Sequence, residues 1–227
     1  MTHEKIAVIA IDGPAGSGKS TTARLVAKKL GFIYLDTGAM YRAVTLKALR
    51  RNLDLSEETQ VVHLLQDTRV EFVNVSGRWQ VLLDDENVTR KIRSLRVSRW
   101  VSTVAAMPAV RQWLVALQRR FGQRGRIVAD GRDIGTVVFP DAQLKIFLTA
   151  SLEERAKRRL KDFARSGETI DLQQVIAELK ARDEKDSSRA ASPLKKAPDA
   201  IELDTTHLSI EQQVDFIVQQ WQDRIKN

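Results

Sequence analysis

The chain has 227 residues, of which 43% are hydrophobic and 29% are charged, an ordinary globular composition that excludes a disordered or fibrous protein. Lysine and arginine number 37 against 29 acidic residues, and the formal net charge of +8 indicates an anionic partner, either a nucleic acid or a phosphate-bearing small molecule. The absence of cysteine excludes disulfides, cysteine-based zinc sites and thiol catalysis.

Two further features bear on where the protein works. The sequence has no apolar run that approaches the roughly 20 residues a membrane helix needs. Residues 1–5 lack the basic-then-apolar pattern of a secretory signal. We therefore expect a soluble, cytoplasmic protein.

Short apolar runs alternate with helical patterns along most of the chain. Residues 6–11 are apolar throughout, which is typical of a strand buried on both faces of a parallel sheet. The other predicted strands are 32–35, 127–130, 144–148 and 200–203, and the predicted helices are 18–30, 39–51, 94–121 with a break near Pro108, 152–165, 172–188 and 209–226. This alternation predicts a three-layer α/β fold with helices flanking a five-stranded parallel sheet.

One stretch has a different pattern. Residues 70–75 and 78–83 predict two strands around a tight turn at Ser76 and Gly77, and residues 84–88 can add a third short strand. We therefore predict a single domain spanning residues 1–227, with residues 60–101 as an inserted antiparallel subdomain.

The segment after the first strand matches a phosphate-binding loop. Gly13, Gly18, Lys19 and Ser20 occupy every fixed position of G-x-x-x-x-G-K-[ST], between a buried strand and a helix. Backbone N–H groups of such a loop surround an anion, Lys19 can reach the β- and γ-phosphates, and the Ser20 hydroxyl can bind Mg²⁺. Asp130, at the end of the third strand of the sheet, is either a second Mg²⁺-site residue acting through water or an aspartate that caps a turn.

Arginines near the predicted strand ends indicate a second anion site. Arg42 follows the second strand and Arg132 follows the third, so both would face the edge of the sheet where ligands bind in open α/β folds. Helical spacing places four more charged residues on one face: Arg182, Asp183, Asp186 and Arg189. Helix arginines commonly only solvate a surface, but three groups that converge on the strand ends favour a site for a second phosphate.

A run of cations opens the helix predicted at 152–165, with Arg155, Lys157, Arg158, Arg159 and Lys161. The run is either a solvated helix face or part of a lid, over 151–168, that brings cations to a transferring phosphate. Its position between the fourth and fifth strands favours the lid.

Several strings of the sequence resemble the bacterial-type cytidylate kinases of the nucleoside monophosphate kinase superfamily. They lie at 11–20, 35–42, 102–111, 129–140, 145–148, 181–189 and 191–194. Gly-Arg-Asp-Ile-Gly-Thr-Val-Val-Phe-Pro at 131–140 and Arg-Asp-x-x-Asp-x-x-Arg at 182–189 are specific to that family, whereas the phosphate loop is not. The predicted insertion at 60–101 also looks like the enlarged monophosphate-binding subdomain of the bacterial form.

The resemblance implies transfer of the γ-phosphoryl group of ATP to CMP or dCMP with Mg²⁺, in pyrimidine nucleotide metabolism. It implies an ATP site at Asp12, Gly13, Pro14, Ala15, Gly16, Ser17, Gly18, Lys19, Ser20 and Thr21, and a metal site at Ser20 and Asp130. The implied acceptor site has Arg42, Arg132 and Arg189 on the phosphate, Arg182 and Asp186 on the sugar, Ser102, Arg111 and Asp133 on the cytosine edge, and Thr37 where the family more often has serine. The implied catalytic side chains are Lys19, Arg132, Arg158 and Arg189.

The cytosine assignment also has a chemical basis. Cytosine presents an amino donor at N4 and an acceptor at N3, which call for one acidic acceptor and one cationic donor. Asp133 and Arg111 are residues of those types. Uracil would leave polar groups unpaired against the same two side chains.

Two alternatives remain from the sequence. The first is a nucleic-acid-binding module that uses the five cations of the stretch 90–99, with Trp79, Trp100 and Trp113 to stack on bases. The second is a phosphate-loop kinase of another acceptor, such as UMP or shikimate. Because the sequence has no other recognised motif for either alternative, we predict CMP and dCMP as the substrates and no nucleic acid as a partner. We also predict that the protein has no membrane partner and is a monomer.

Overall fold

The computed structural model describes residues 7–76, 78–165, 167 and 169–226. Several residues used in the predictions lie outside the described ones: residues 1–5 at the start of the chain, Ile6 of the first strand, Gly77 of the tight turn, Ser166 and Glu168 of the lid region, and Asn227 of the predicted domain. The chain divides into two compact units, with unit 1 formed by Met1–Asp36 and Gln118–Asn227 and unit 2 by Thr37–Leu117.

The helices and strands follow the predicted alternation. In chain order they are β1 (Ala7–Asp12), α1 (Lys19–Leu30), β2 (Ile33–Asp36), α2 (Thr37–Arg50), α3 (Glu58–Leu65), β3 (Val70–Val75), β4 (Arg78–Leu83), β5 (Glu86–Asn87), α4 (Leu95–Ala106), α5 (Pro108–Gly122), β6 (Arg126–Gly131), β7 (Leu144–Thr149), α6 (Leu152–Arg165), α7 (Leu172–Ser188), β8 (Ile201–Asp204) and α8 (Ile210–Lys226). A short 3₁₀ turn covers Lys91–Arg93, and a single π-helical turn covers Ile134–Val138.

Unit 1 contains the five-stranded sheet, in the order β2-β6-β1-β7-β8 with every pair parallel, which confirms the predicted fold class. All six residues of the central strand β1 are buried, as its continuous apolar run predicts. In the register of the sheet, Asp12 lies opposite Gly131 and Asp36 opposite Asp130. Three aspartates therefore lie at or next to the ends of neighbouring strands, at the same edge of the sheet.

Glycine ends α1 as the sequence predicts. Gly31 has φ +69°, a left-handed conformation that glycine adopts without a side-chain clash. The N–H of the next residue, Phe32, then donates to the carbonyl of Ala27 at 2.8 Å. The ring of Phe32 meets the edge of Trp221 with 5.4 Å between ring centroids, which ties the loop to α8.

Unit 2 contains the antiparallel sheet β3-β4-β5. Val70 and Phe72 are buried on β3, and their partners in the register, Leu83 and Val81, are buried on β4, so one face of the hairpin forms a small core. The predicted break near Pro108 is confirmed, because α4 ends at Ala106 and α5 begins at the proline.

Two local features differ from the predictions. The structure has a helix, α3, in a stretch to which the sequence interpretation gave no element; its buried residues Val61, Leu64 and Leu65 have the i, i+3, i+4 spacing of an amphipathic helix. The second helix begins at Thr37, directly after β2, and not near residue 39. Within the described part of the chain, no helix has the length and hydropathy of a membrane span.

Candidate active site

The phosphate loop lies between β1 and α1 of unit 1. Gly18, the residue before α1, has φ +93°, which turns its backbone into a conformation that favours glycine. Gly13 has φ +148°, and a Cβ at this position would overlap the carbonyl oxygen of Leu148 on the neighbouring strand β7. The glycines of the motif are therefore required by the backbone conformation and by the close approach of the loop to the sheet.

Lys19 is buried beneath this loop, with 5% of the residue exposed. Its Nζ donates to the carbonyl of Pro14 at 2.7 Å, which holds the ammonium within the loop. Burial lowers the pKa of Lys19 well below its usual value, and the charges of Arg132 and Arg182 lower it further. A site in which cations repel one another is a favourable place for an anion.

Ser20 and Asp130 meet at the edge of the sheet. The Ser20 hydroxyl donates to Oδ2 of Asp130 at 2.7 Å, and the buried hydroxyl of Tyr34 donates to Oδ1 at 2.8 Å. Burial and then the neighbouring Asp36 raise the pKa of Asp130 to about 6. Oxygen donors with crowded negative charge fit Mg²⁺, a hard cation that prefers carboxylates, hydroxyls and water.

Two arginines of α6 contact the backbone of the phosphate loop. Arg155 is buried and donates through Nη1 to the carbonyl of Ala15 at 3.1 Å and to the carboxylate of Asp183. Arg158 donates through Nη1 to the carbonyl of Ser17 at 3.2 Å and through Nη2 to the carbonyl of Thr205 at 2.7 Å. The predicted lid helix therefore lies against the loop that would hold the phosphates.

The second predicted anion site in unit 1 is a cluster around Asp186, which we call the Asp186 cluster: Arg132, Arg182, Asp186 and Arg189. The distance to the Asp186 carboxylate is 3.0 Å from Arg132 Nε, 3.8 Å from Arg182 Nε and 3.9 Å from Arg189 Nη1. Burial alone would raise the pKa of Asp186. The positive charges of the three arginines outweigh burial and hold this pKa below its usual value. Burial, together with the charge of Arg132, lowers the pKa of Arg182 to about 10.

The remaining predicted acceptor residue of unit 1 is on the turn after β6. Asp133 is buried there, with 4% of the residue exposed, directly after Arg132. The structure thus brings predicted residues of α7 close to the turn after β6, through the contact between Asp186 and Arg132.

Unit 2 carries the other predicted acceptor residues: Thr37, Arg42, Ser102 and Arg111. Arg42 donates through Nη1 to the carbonyl of Ile92 at 3.2 Å and to the Ser98 hydroxyl at 2.9 Å.

Arg111 is buried, donates to the carbonyl of Ala105 at 3.1 Å, and has its guanidinium 5.4 Å from the centroid of the Tyr41 ring. Thr37 is buried at the start of α2. Among the described residues, Ser102 has a buried hydroxyl with no hydrogen bond to the protein.

Sequence reasoning did not assign three residues to the phosphate loop or to Asp130, although the structure places them in contact with these parts. Tyr34 orients Asp130, Arg155 joins the loop to α7, and Thr205 donates its hydroxyl to the carbonyl of Ser17 at 3.1 Å. Arg155 had a signal, since it belongs to the cationic run. Tyr34 and Thr205 had none, because their roles depend on which strands are neighbours.

Comparison with known proteins identifies relatives along nearly the whole chain. The sequence pattern of the cytidylate kinase family matches residues 9–223. A cytidylate kinase from Listeria welshimeri is 53% identical over 219 residues, which cover 96% of this chain and 97% of that protein. One from Carboxydothermus hydrogenoformans is 52% identical over 206 residues, 91% of this chain and 93% of that protein. The crystal structure of a gluconokinase from Sinorhizobium meliloti shares the fold, with a TM-score of 0.50 and 14% identity over 98% of this chain and 97% of that chain.

The parallel sheet, the loop at the end of β1 and the cations beside it define a P-loop kinase. Such a fold alone does not specify the acceptor. Because the family pattern and the relatives cover nearly the whole sequence, the chain belongs to the cytidylate kinase family, and it is an ATP-dependent kinase. The roles of individual residues stay predictions.

Proposed function

We propose residue roles for the reaction of this family. The protein transfers the γ-phosphoryl group of ATP to CMP or dCMP, giving ADP and CDP or dCDP. The observation that carries the proposed roles is the closeness of two sets of cations. In the register of the sheet, Asp12, directly before the phosphate loop, lies opposite Gly131, directly before Arg132 of the Asp186 cluster. Consistent with this geometry, the charges of Arg132 and Arg182 lower the pKa of Lys19. Two neighbouring anion sites allow a donor phosphate and an acceptor phosphate to meet.

The donor site is the phosphate loop. Residues 13–21 surround the phosphates of ATP, and Lys19 neutralises charge on the β- and γ-phosphates. Ser20 and Asp130 would hold Mg²⁺, which would neutralise charge on the same phosphates.

The acceptor site uses arginines for the phosphate and polar side chains for the nucleoside. Arg132 and Arg189, together with Arg42, bind the phosphate of CMP, while Arg182 and Asp186 contact its sugar. The base is read by three further residues: Asp133 accepts from the N4 amino group, Arg111 donates to the acceptor edge, and Ser102 adds a hydroxyl group. Thr37 adds a hydroxyl group to the acceptor site at a position where the family more often has serine. The buried, unpartnered hydroxyl of Ser102 supports a role in ligand binding.

The chemistry needs little from side chains beyond position and charge. The attacking oxygen of the acceptor phosphate is already an anion and needs no general base. Catalysis therefore comes from alignment of the two phosphates and from neutralisation of the transferring group by Lys19, Arg132, Arg158 and Arg189. Exclusion of water prevents hydrolysis of ATP.

We further propose that residues 60–101 form a flap that closes on the monophosphate and that residues 151–168 form a lid that closes on ATP, within one kinase domain over residues 1–227. The contacts of Arg155 and Arg158 with carbonyls of the phosphate loop support the lid, because they join α6 to the donor site. We also propose that the enzyme is a monomer and that it serves pyrimidine nucleotide metabolism in the cytoplasm.

A coupled assay of ADP release tests this proposal. With Mg·ATP and a panel of CMP, dCMP, UMP, AMP and shikimate, we expect rapid ADP release only with CMP or dCMP, at about 1–100 per second. Omission of Mg²⁺ should abolish turnover. Equal ADP release without any acceptor, or with every acceptor, would contradict the proposed roles, and light scattering of the purified protein tests the monomer.

A further inference from the structure

The carboxylate of Asp12 is directed at the turn after β6 that carries Arg132 and Asp133. Asp12 ends the central strand β1, opposite Gly131 of β6, and only 5% of the residue is exposed. Its Oδ1 accepts the backbone N–H of Ile134 at 2.8 Å, and its Oδ2 accepts the backbone N–H of Gly135 at 2.8 Å. Both oxygens are thus engaged by two consecutive residues of one turn.

Those two N–H groups begin the π-helical turn Ile134–Val138. The first N–H groups of a helical turn have no acceptor within the turn and need one from elsewhere. Asp12 supplies both acceptors from a different strand, in the way that a capping side chain supplies one from the same segment. The turn is therefore fixed to the centre of the sheet.

Asp133 lies directly before the two residues that Asp12 holds. It has φ −144° and ψ 25°, which belong neither to the strand before it nor to a helix. The Asp12 bonds fix the peptide groups directly after Asp133, and the bond from Arg132 Nε to Asp186 at 3.0 Å fixes the residue directly before it. The direction in which the Asp133 side chain leaves the backbone is set between these two anchors.

The same turn is packed from a second side by a charged residue. A Cβ at Gly135 would lie 3.1 Å from Cδ of Lys145 and 3.5 Å from Oδ2 of Asp12, so a larger residue has little space there. Lys145 is in turn held by Asp199, with 2.9 Å between Nζ and Oδ2. The turn is a tightly enclosed part of the structure, which suits a segment that presents side chains at fixed positions.

We propose that Asp12 is a positioning residue for the acceptor: its carboxylate fixes the turn that carries Arg132 and Asp133, and it thereby controls binding of CMP and not of ATP. The motif resemblance placed Asp12 in the ATP site, but its hydrogen bonds favour the acceptor side. This inference rests on the proposed function, which assigns Arg132 and Asp133 to CMP.

The test is Asp12→Asn, because both partners of the carboxylate are N–H donors. An amide of the same shape offers one acceptor and one donor, so one of the two N–H groups loses its partner and faces an NH₂ group. We expect KM for CMP to rise by about 10- to 150-fold, the range that corresponds to one hydrogen bond to a charged group, while KM for ATP changes by less than about twofold. A comparable rise of KM for ATP alone would overturn the proposal.

Asp171→Asn is the matched control. Asp171 also accepts two consecutive backbone N–H groups, those of Gln173 at 2.8 Å and Gln174 at 3.2 Å, but it is exposed and lies directly before α7. Asparagine caps a helix about as well as aspartate, so this change removes one negative charge with little effect on KM for either substrate. A rise of KM for CMP equal to that of Asp12→Asn would show that net charge, and not the turn, is responsible.

Hydrogen exchange of the unsubstituted protein provides a second measurement that does not depend on whether Asp12→Asn folds. The amides of Ile134 and Gly135 should be protected without CMP, since their acceptor is part of the protein. Exchange of these amides at the rate of an open loop until CMP is added would overturn the proposal. Where Asp12→Asn folds, these two amides should exchange faster than in the unsubstituted protein.

Asp133→Asn separates failure of this inference from failure of the proposed function. If Asp133→Asn weakens CMP binding but Asp12→Asn does not, the role of Asp12 is wrong and the proposed acceptor site stands. If Asp133→Asn and Arg132→Ala both leave KM for CMP unchanged, the proposed acceptor site is wrong, and the inference about Asp12 falls with it.

Discussion

Asp186→Asn should destabilise the protein strongly, because Asp186 is the carboxylate around which the Asp186 cluster is arranged. The side chains of Asp186 and Arg189 are 4% and 5% exposed, and those of Arg132 and Arg182 are 17% and 21% exposed. Removal of one partner from a buried ion pair costs about 3–5 kcal/mol, since it leaves charge buried without compensation. Because two of the arginines retain some solvent, we expect about 3 kcal/mol, or about 6–12 °C in Tm for a chain of this length.

Thermal and urea unfolding measure this loss, and Asp215→Asn is the matched control. Asp215 pairs with Lys29 on the surface, where the side chains are 55% and 52% exposed, so its replacement should cost no more than about 1 kcal/mol. If Asp186→Asn changes the free energy of unfolding no more than this control, the reasoning about the buried cluster is wrong.

The pH dependence gives an independent check on the same variant. The surrounding arginines lower the pKa of Asp186 in the folded state, so its stabilising effect is present above the ordinary pKa of about 4 and is lost as the pH falls below that value. The difference in stability between the unsubstituted protein and Asp186→Asn should therefore narrow in acid. A difference that stays constant down to pH 2 would mean that shape, and not charge, is responsible.

Four other expectations concern catalysis, specificity, motion and pH. Lys19→Ala should remove most of kcat while circular dichroism shows the fold retained, since the ammonium contributes to charge neutralisation and not to the apolar core. Asp133→Asn should lower kcat/KM for CMP by about 10- to 150-fold more than for UMP, the range for a charge-assisted hydrogen bond; an equal loss for both would refute the cytosine assignment. Hydrogen exchange should slow in residues 60–101 with CMP and in residues 151–168 with a non-hydrolysable ATP analogue, and an unchanged pattern would count against a closing flap and lid. Burial raises the pKa of Asp12 from 3.8 to about 7, so the folded state favours the protonated carboxyl. The contribution of this group to stability is fully present below pH 3.8 and is lost as the pH rises through 7. The stability of the unsubstituted protein relative to Asp12→Asn should therefore fall by about 4 kcal/mol between pH 4 and 8.

The fold could be predicted from the sequence wherever one local signal decided the structure. The unbroken apolar run of β1 predicted a buried parallel strand, Gly31 predicted the end of α1, and Pro108 predicted the break between two helices. The helix α3 was missed because its eight residues contain only about two turns, too short a window for periodicity to stand out.

The site could be predicted in its residue types but not in its contacts. Arg155 and Lys157 look alike in the cationic run, but the structure buries Arg155 against the carbonyl of Ala15 and leaves Lys157 exposed. Arg159 differs again, with its guanidinium 4.4 Å from the centroid of the Phe163 ring. Which cation of a run faces the loop depends on how α6 is rotated against the sheet, and no local pattern specifies that rotation.

The contacts of the cations suggest why this site can bind highly charged substrates without a large reorganisation. The ammonium of Lys19 has three N–H donors, and its bond to the carbonyl of Pro14 uses one of them. The guanidinium of Arg132 has five, and its bonds to Asp186 and to the carbonyl of Gly131 use two. Each cation can therefore keep the partner that fixes its position and still donate to a phosphate. Side chains held in place in advance lose little conformational entropy when the substrate binds, so more of the electrostatic attraction remains to stabilise the transferring phosphoryl group.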